Sequence, residues 1–533
     1  MISYLSIANP GSQNGDHGAP LVAVSLHSQD PGHPADGLSL DSNMTKKEMQ
    51  PKTQKEVGAY YTFERIASSL VSWAVHSPHD RILDPSCGDG RFIAGHRNSV
   101  GIEQEKTAAA IAIDRAPWAL VHEGDFFSWA SNTTERFDCA AGNPPFIRYQ
   151  LFNGEVREQA LALCKAIGAD FSGLASSWAP FLVATASLLK RGGRMAFVVP
   201  AELGHAPYAA PLLEYLIENF GRVKIIAVKD RLFPELSEDC WLLYAEEFGS
   251  RAAGIDLTIL EKFVPADCPP RTSIRVSIAE WRDVWNRRLR PYLLPNPARE
   301  LYRVAAESPG SRRFGDIASI GIGYVSGAND FFHLRASEIR RWGIPLNLLH
   351  PTVRNARALP PDSVTMATVE RWKKADDPIF LLRLSKTIDL PREVKNYLDT
   401  EEGREARKSY KCRVRDPWYS VPDVQVPDYF LSYMSGLSPS LVRNAAKCTC
   451  TNSVHSVRIS DRSAEPSLLQ TWKTPFVQLS CELEGHPLGG GMLKLEPREA
   501  TRVLLPAASL QRQLESAEIE GALSTMRSWR HYK

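Results

Sequence analysis

The residue types most suited to chemistry in this chain stand together in the tetrapeptide Asn143-Pro144-Pro145-Phe146. Each proline fixes its own φ angle and disfavours the helical region for the residue before it, so Asn143 is held extended. The segment presents two hydrogen-bond acceptors, the Asn143 side-chain oxygen and a proline carbonyl, followed by the ring of Phe146. Such a segment, here called a rim, suits a planar ring that carries an exocyclic NH2 group, because the two acceptors can bind its two N–H groups while the aromatic residue covers the ring. The simpler interpretation is a turn that ends a strand, because Asn-Pro and Pro-Pro commonly mark loops.

Three acidic residues, Asp84, Glu103 and Asp125, follow short apolar segments and each precedes a turn. An acidic residue at the end of the second strand of a doubly wound sheet typically accepts hydrogen bonds from ribose hydroxyls, so Glu103 is the candidate for binding a ribose. Asp125 could accept a hydrogen bond from an adenine amino group, and Phe126 could flank that ring. The succession predicts a nucleoside site at the carboxyl edge of a parallel sheet.

A glycine turn, Cys87-Gly88-Asp89-Gly90, follows the first of these acids. Gly88 and Gly90 permit tight backbone geometry and the close approach of a ligand. The third glycine of the dinucleotide fingerprint and the phosphate-binding lysine of the P-loop are both missing from this turn. The turn therefore favours a nucleoside without phosphates.

Helical and strand patterns alternate from residue 55 to residue 247, which predicts a doubly wound α/β sheet. Thr62 is a candidate N-cap for a helix that carries Ile66, Leu70 and Trp73 on one face. The predicted elements after it include a strand at 137–142, a helix at 178–189 stopped by Lys190-Arg191-Gly192-Gly193, a strand at 194–200, a helix at 210–219, and strands at 223–228 and 241–244.

The alternation fades between residues 249 and 270, so the sequence predicts a catalytic domain at 53–255 and a mixed α+β domain at 256–533. The second domain holds two dense basic clusters interleaved with aromatic residues, which could neutralise phosphates and pack against bases. One contains Arg282, Trp285, Arg287, Arg288 and Arg290; the other contains Arg404, Arg407, Lys408, Lys411, Arg413 and Arg415.

Composition sets the remaining bounds. The 533 residues are 43% hydrophobic and 23% charged with a net charge of +2, which is ordinary for a soluble globular protein. No secretory signal or membrane-spanning run is visible, and nine scattered cysteines fit reduced thiols in the cytoplasm, with no metal site expected. Residues 1–52 are predicted to be a disordered leader, within which Met44 is an alternative start.

Taken together, these motifs resemble the DNA adenine methyltransferases that act on the 6-amino group, with the cofactor motifs before the catalytic motif and a C-terminal target-recognition domain. The resemblance rests on Gly58-Ala59-Tyr60-Tyr61-Thr62, Asp84 to Phe92, Glu103, Asp125, Asn143 to Phe146, and Phe233-Pro234. The segments Gly321 to Asp330 and Trp418-Tyr419 match recognition domains less specifically. Phe63 departs from the family pattern, which usually has proline there.

The resemblance implies S-adenosylmethionine as the methyl donor and a flipped-out adenine in double-stranded DNA as the acceptor. The implied catalytic residues are Asn143, Pro144, Pro145 and Phe146, with Phe146 and Phe233 stacking on the target base. The implied cofactor contacts are Tyr61, Thr62, Asp84, Ser86, Gly88, Gly90, Glu103, Asp125, Phe126 and Asn143. These enzymes are typically the modification half of restriction–modification systems, so a cognate endonuclease is a further candidate partner of a monomeric enzyme.

Other acceptors stay open at this point. An RNA amino group, a protein glutamine or the cytosine amine would use a similar rim, and a non-catalytic DNA-binding specificity protein is an alternative of a different class. The large basic and aromatic C-terminal half favours DNA, and the intact acidic residues favour an enzyme.

Overall fold

The computed structural model of this protein describes residues 62–532, except 174, 237, 387 and 388. Tyr61 and the predicted leader lie outside the described residues. Within the described part, no helix combines the length and the apolar character needed to cross a membrane.

A nine-stranded sheet forms the first half of the protein, in the order β3-β2-β1-β4-β5-β7-β6-β8-β9. Most neighbouring strands are parallel, but β7 is antiparallel to both β5 and β6, and β9 is antiparallel to β8. The strands are β1 Ile82–Asp84, β2 Ser99–Glu103, β3 Leu120–Glu123, β4 Phe137–Gly142, β5 Leu189–Pro200, β6 Phe220–Val228, β7 Cys240–Phe248, β8 Ile255–Leu260 and β9 Ile274–Val276.

Helices cover both faces of this sheet. Because successive side chains of a strand point to opposite faces, the apolar central strands present hydrophobic surface on both sides. Along β5, Met195 and Phe197 point into one hydrophobic cluster, whereas Ala196 and Val198 point into another. A strand buried on both faces reads as a continuous apolar run. The helices are α1 Glu64–Ala74, α2 Arg91–Ala94, α3 Lys106–Arg115, α4 Phe126–Asn132, α5 Gly154–Ala166, α6 Trp178–Ser187 and α7 Ala210–Asn219. The predicted doubly wound α/β fold is confirmed.

Several element boundaries differ from the sequence expectations. The helix predicted to end at Leu189 ends at Ser187. The Lys190 to Gly193 run lies within strand β5 as an irregularity between the pairs that Leu189 and Arg194 make with β4. Phe63, not Thr62, occupies the N-cap position of α1. The sheet also continues through Val276, beyond the boundary expected at 255, because β8 pairs with β6 and β9 with β8.

The second half is a mixed α+β assembly. Its larger sheets are β11-β20-β16-β18-β14 and β12-β15-β13-β19, with smaller sheets β17-β22-β21 and β10-β23. The strands are β10 Arg312–Arg313, β11 Ala318–Ile322, β12 His333–Leu334, β13 Leu349–Val353, β14 Ser363–Val364, β15 Phe380–Leu382, β16 Tyr429–Ser432, β17 Met434–Ser435, β18 Leu441–Asn444, β19 Thr449–Cys450, β20 Val454–Ile459, β21 His486–Leu488, β22 Met492–Lys494 and β23 Leu504–Leu505.

Helices precede, connect and follow these strands. They are α8 Asn296–Glu307, α9 Phe314–Ile317, α10 Asn329–Phe332, α11 Ala336–Trp342, α12 Met366–Lys374, α13 Arg392–Leu398, α14 Glu401–Lys408, α15 Tyr410–Arg413, α16 Glu465–Trp472, α17 Pro475–Glu484, α18 Pro497–Ala500, α19 Gln511–Leu514 and α20 Ala517–Trp529. One buried cluster extends from Phe197 in β5 to Trp472 in α16 and Met526 in α20, so both halves share a hydrophobic core.

Gly90 lies in the left-handed region at φ +84°, and a Cβ atom there would lie 2.8 Å from the Ala112 Cα. We expect Gly90→Ala to lower the free energy of unfolding by more than about 1 kcal/mol, because the substitution strains the backbone and pushes α3 away. Urea denaturation measures this change.

Gly521→Ala is the matched control. Gly521 lies inside α20 with open space around its missing Cβ. The same substitution there should raise the free energy of unfolding by roughly 0.5–1 kcal/mol, since alanine favours a helix over glycine. Equal effects at the two positions would contradict the packing role of Gly90.

Candidate active site

The Asn143-Pro144-Pro145-Phe146 segment, here named the NPPF loop, leaves the sheet at the end of β4. The residue before it, Gly142, lies against the first acidic residue of the sequence: a Cβ atom on Gly142 would be 2.7 Å from Asp84 Oδ1. Asp84 ends β1, which pairs with β4. The absence of a side chain at Gly142 therefore lets the carboxyl group lie directly beside the start of the loop.

Ser86 connects the turn after β1 to the NPPF loop. Its hydroxyl donates a hydrogen bond to the Asn143 carbonyl at 3.2 Å, and its backbone N–H donates to Asp84 Oδ1 at 3.1 Å. The first acid, the turn that follows it and the first residue of the NPPF loop thus form one hydrogen-bonded unit.

The other two acids lie at the ends of neighbouring strands, as predicted. Glu103 accepts hydrogen bonds from the backbone N–H groups of Gly88 and Glu105, both at 2.8 Å. Asp125 accepts from the Ser128 N–H at 2.8 Å and caps α4. Since β1, β2 and β3 are adjacent and parallel, their carboxyl ends bring the three acids to one edge of the sheet.

Asp84 is the most perturbed of these groups. It is 1% exposed, and its Oδ2 atom has no hydrogen-bond partner. Burial raises the pKa of Asp84 to about 8, against the opposing hydrogen bond from Ser86, and the nearby carboxylates of Glu103 and Asp89 add to the rise. The unused oxygen of this buried carboxyl group is available to pair with an incoming cationic group.

Thr62 lies beside the glycine turn, although it does not cap α1. Its carbonyl accepts a hydrogen bond from Arg91 Nη1 at 2.7 Å, and Arg91 Nε lies 3.0 Å from Asp89 Oδ2 in the same turn. Gly90 is the last residue of that turn, and α3 can pack against it only because glycine has no Cβ atom. Close approach of a ligand is therefore not the only reason for glycine at this position.

The aromatic residues are arranged differently from the simplest expectation. The Phe126 ring is 3% exposed and stacks on Phe181 with ring centroids 5.0 Å apart, so this side chain faces the core. Phe233 is 1% exposed and lies parallel to Phe63 at 5.9 Å. Phe63 is 36% exposed, and the Arg65 guanidinium lies over its ring at 5.9 Å from the centroid, whereas Phe146 is half-buried in the NPPF loop.

Sequence reasoning missed the roles of Phe63 and Gly142. Phe63 was visible as a departure from the family pattern, but its stacking on Phe233 joins segments 170 residues apart and has no local signal. Direct stacking of Phe233 on a target base would require Phe63 to move. That role of Phe233 stays a prediction, as do the cofactor contacts assigned to individual residues.

The first predicted basic cluster does not form an open positive surface. Arg282 and Arg287 both pair with Glu214, the latter at 2.9 Å. Arg288 and Arg290 are buried and pair with Glu484 at 2.7 Å and Glu482 at 3.7 Å. Burial of Arg288 and Arg290 contradicts the expectation that these two side chains contact phosphates, and Arg282 and Arg287 are already paired with a carboxylate.

The second cluster lies on α14 and α15, and most of it faces solvent. Arg404, Arg407, Lys411 and Arg413 are exposed, whereas Lys408 pairs with Glu405 at 2.7 Å. Arg415 turns inward, and its guanidinium donates to the carbonyls of Val325 and Ser326. The segment from Gly321 to Asp330 is thereby packed against the basic helices.

Two family models match the chain over consecutive parts. The model of the Eco57I restriction–modification methylase matches residues 96–233, and the model of the C-terminal domain of the Type II methyltransferase M.Eco57I matches residues 286–531. The first match spans the NPPF loop, and the second spans the mixed α+β half.

Individual relatives agree with this match. The Type II methyltransferase M.XamI of Xanthomonas campestris pv. amaranthicola is 24% identical over 473 residues, covering 84% of this chain and 85% of its own length. M.AccI of Acinetobacter calcoaceticus is 19% identical and covers 89% of both chains. Among solved structures, the Type IIL restriction–modification enzyme MmeI in complex with DNA is similar in fold, with a TM-score of 0.50 and 12% identity over 87% of this chain and 71% of that chain.

Asp84→Asn tests the electrostatic state of the site. The folded pKa of about 8 lies far above the unfolded value, so the unfolded state binds fewer protons and stability falls as pH rises from about 4 to 8. Asparagine removes this decline. We expect the ligand-free variant to have the higher Tm, with a difference that grows between pH 5 and pH 8 in thermal unfolding.

Asp138→Asn is the control of opposite sign. Partial burial acts to raise the pKa of Asp138, but hydrogen bonds from Lys190 and the Arg81 backbone outweigh it and lower that pKa. Its charged form stabilises the fold above the unfolded pKa, so this variant should have a lower Tm at pH 7. A lower Tm for both variants would refute the buried, neutral state of Asp84.

Proposed function

This chain belongs to the Eco57I family of restriction–modification methylases, and on that premise we propose that it methylates the 6-amino group of adenine in double-stranded DNA. The resemblance inferred from its motifs is confirmed at the level of the family. The acceptor base, its extrusion from the duplex and the bound nucleic acid belong to the proposal. The observation that carries the proposal is the direct contact between the Asp84 carboxyl group and Gly142, which leads into the NPPF loop.

Family membership implies S-adenosylmethionine as the methyl donor, and the residues present fit it. The unused Oδ2 of buried Asp84 suits the ammonium group of the methionine moiety. Glu103 would hold the ribose hydroxyls, Asp125 the adenine amino group, and the turn at Gly88 the methionine chain. Thr62, adjacent to this turn through Arg91, would lie near the carboxylate.

The NPPF loop would activate the acceptor nitrogen. Adenine's amino nitrogen is a poor nucleophile because its lone pair is delocalised into the ring. Asn143 Oδ1 and the Pro144 carbonyl would accept hydrogen bonds from its two N–H groups and favour a pyramidal nitrogen. The donor supplies a methyl group bound to a positively charged sulfur. Positioning and oriented dipoles would provide most of the acceleration without a covalent enzyme intermediate.

The target adenine would have to leave the helix, because its amino group is inaccessible within stacked base pairs. Two aromatic positions could receive it. Phe146 is the last residue of the NPPF loop, and the partly exposed ring of Phe63 stacks on Phe233. We propose that Phe146 covers one face of the base and that the Phe63–Phe233 stack borders the other.

Asn143→Ala should reduce methyl transfer to DNA by at least about a thousandfold, because it would remove the acceptor proposed to bind the amino group of the target base. Binding of S-adenosylmethionine should stay within a few-fold of the wild type. Transfer is measured with labelled donor and plasmid DNA, and mass spectrometry of the digested nucleosides identifies the product as N6-methyladenine.

Asn153→Ala is the matched control, because Asn153 is exposed at the start of α5 and its amide donates only locally, to the Gln150 carbonyl at 3.3 Å. It should methylate like the wild type. N4-methylcytosine as the product would move the acceptor to cytosine. Undiminished transfer by Asn143→Ala would reject the proposed mechanism.

The basic surface formed by Arg404, Arg407, Lys411 and Arg413 is the proposed contact to DNA phosphates. Phosphate contacts position a duplex without reading its sequence, and they release counterions. The adjoining segment from Gly321 to Asp330 would then lie near the base edges, because Arg415 holds it against the basic helices.

Lys411→Gln should lower DNA affinity and reduce the slope of log K against log salt by about 0.9, the value for one phosphate contact. Fluorescence anisotropy with duplex DNA at several salt concentrations gives the slope. Arg287→Gln removes the same charge at a site already paired with Glu214, so its slope should match the wild type. Equal slopes for all three proteins would exclude Lys411 from the DNA surface.

A further inference from the structure

Ser177 makes an unusual set of contacts at the start of α6. It occupies the N-cap position, where a serine hydroxyl ordinarily accepts a hydrogen bond from its own helix. Here the hydroxyl makes no such bond. Instead it donates to the Pro145 carbonyl and accepts from the Ile147 N–H at 3.0 Å. The Ser177 backbone N–H also donates to the Ile147 carbonyl at 3.0 Å.

These contacts stabilise the NPPF loop, a segment that has few backbone hydrogen-bond donors of its own. Pro144 and Pro145 have no N–H groups, so their segment cannot join a backbone ladder through donors of its own. Groups outside the loop must therefore hold it by hydrogen bonds, and Ser177 makes such bonds to the residues on both sides of Phe146. Ser177 is 0% exposed, so water does not compete for these hydrogen bonds.

We propose that Ser177 is a positioning residue that fixes the orientation of the NPPF loop for methyl transfer, an inference that rests on the proposed function. By binding the Pro145 carbonyl, Ser177 sets the rotation of the loop and leaves the Pro144 carbonyl as the proline acceptor for the amino group. By holding Ile147, it also fixes the backbone on which the Phe146 ring is carried.

The loop is consequently held at two points by two serines. Ser86 binds the Asn143 carbonyl from the side of the donor site, and Ser177 binds Pro145 and Ile147 from the side of α6. Ser86 belongs to the turn that would bind the donor, so its loss would disturb binding and transfer together. Ser177 lies on the far side, so its loss should affect transfer alone.

The test compares Ser177→Ala with the wild type in single-turnover methylation of a duplex that carries the target site. Misplacement of the loop by about 1 Å should slow the transfer rate by about tenfold to a hundredfold. The Kd for S-adenosylmethionine and the Kd for DNA should each change by less than about threefold. A duplex with 2-aminopurine at the target position should still brighten on binding, which shows that the base is extruded.

Two further variants separate positioning from general destabilisation. Ser187→Ala removes a hydroxyl at the other end of α6 that bonds to its own helix, to the Ala184 carbonyl at 2.7 Å, and should transfer at the wild-type rate. Ser177→Thr retains the hydroxyl and should recover most of the transfer rate lost in Ser177→Ala.

The outcomes are distinct. A wild-type transfer rate in Ser177→Ala would overturn the positioning role, and so would a loss of donor binding as large as the loss of rate. Failure of the wild-type protein itself to methylate DNA adenine would instead refute the proposed function on which this inference rests.

Discussion

The geometry of the site depends on a single constraint, the inability of the two prolines in the NPPF loop to donate backbone hydrogen bonds. Proline stiffens the loop but leaves it to be held from outside. The structure holds the loop through its carbonyl groups, which accept hydrogen bonds from Ser86 and Ser177, two residues that are 91 positions apart in sequence. The acceptor groups of the loop are therefore oriented by the turn after β1 and by the start of α6 together.

The same edge of the sheet stores an unfavourable electrostatic arrangement. Asp84 is buried beside Gly142 with one oxygen unused, and Glu103 and Asp89 repel its charged form. A carboxyl group in this state destabilises the ligand-free protein at neutral pH, and a cationic ligand group would relieve that cost. The arrangement is consistent with a site that binds a donor carrying an ammonium group.

The two basic clusters of the C-terminal half differ in how they are paired with carboxylates. Arg282, Arg287, Arg288 and Arg290 look like a nucleic-acid-binding patch, yet each of them is paired with Glu214, Glu482 or Glu484. These carboxylates lie about 70 positions before and about 195 positions after the arginines they pair with, so no window of sequence contains both partners. Lys411 and Arg413, in contrast, lie on a short helix and their side chains are exposed, which a surface that contacts phosphates requires.

The sequence by itself determined the doubly wound sheet, the three strand-end acids and the NPPF loop, because each is written in contiguous residues whose periodicity or backbone restriction acts locally. Only the tertiary structure decided which groups surround them: the contact of Gly142 with Asp84, the stacking of Phe63 on Phe233, and the hydroxyl of Ser177 on Pro145. It also decided that the first sheet continues to Val276. The physical reason is that hydrogen bonds, ring stacking and charge neutralisation depend on distance in space, which the folded packing sets and local residue patterns do not contain.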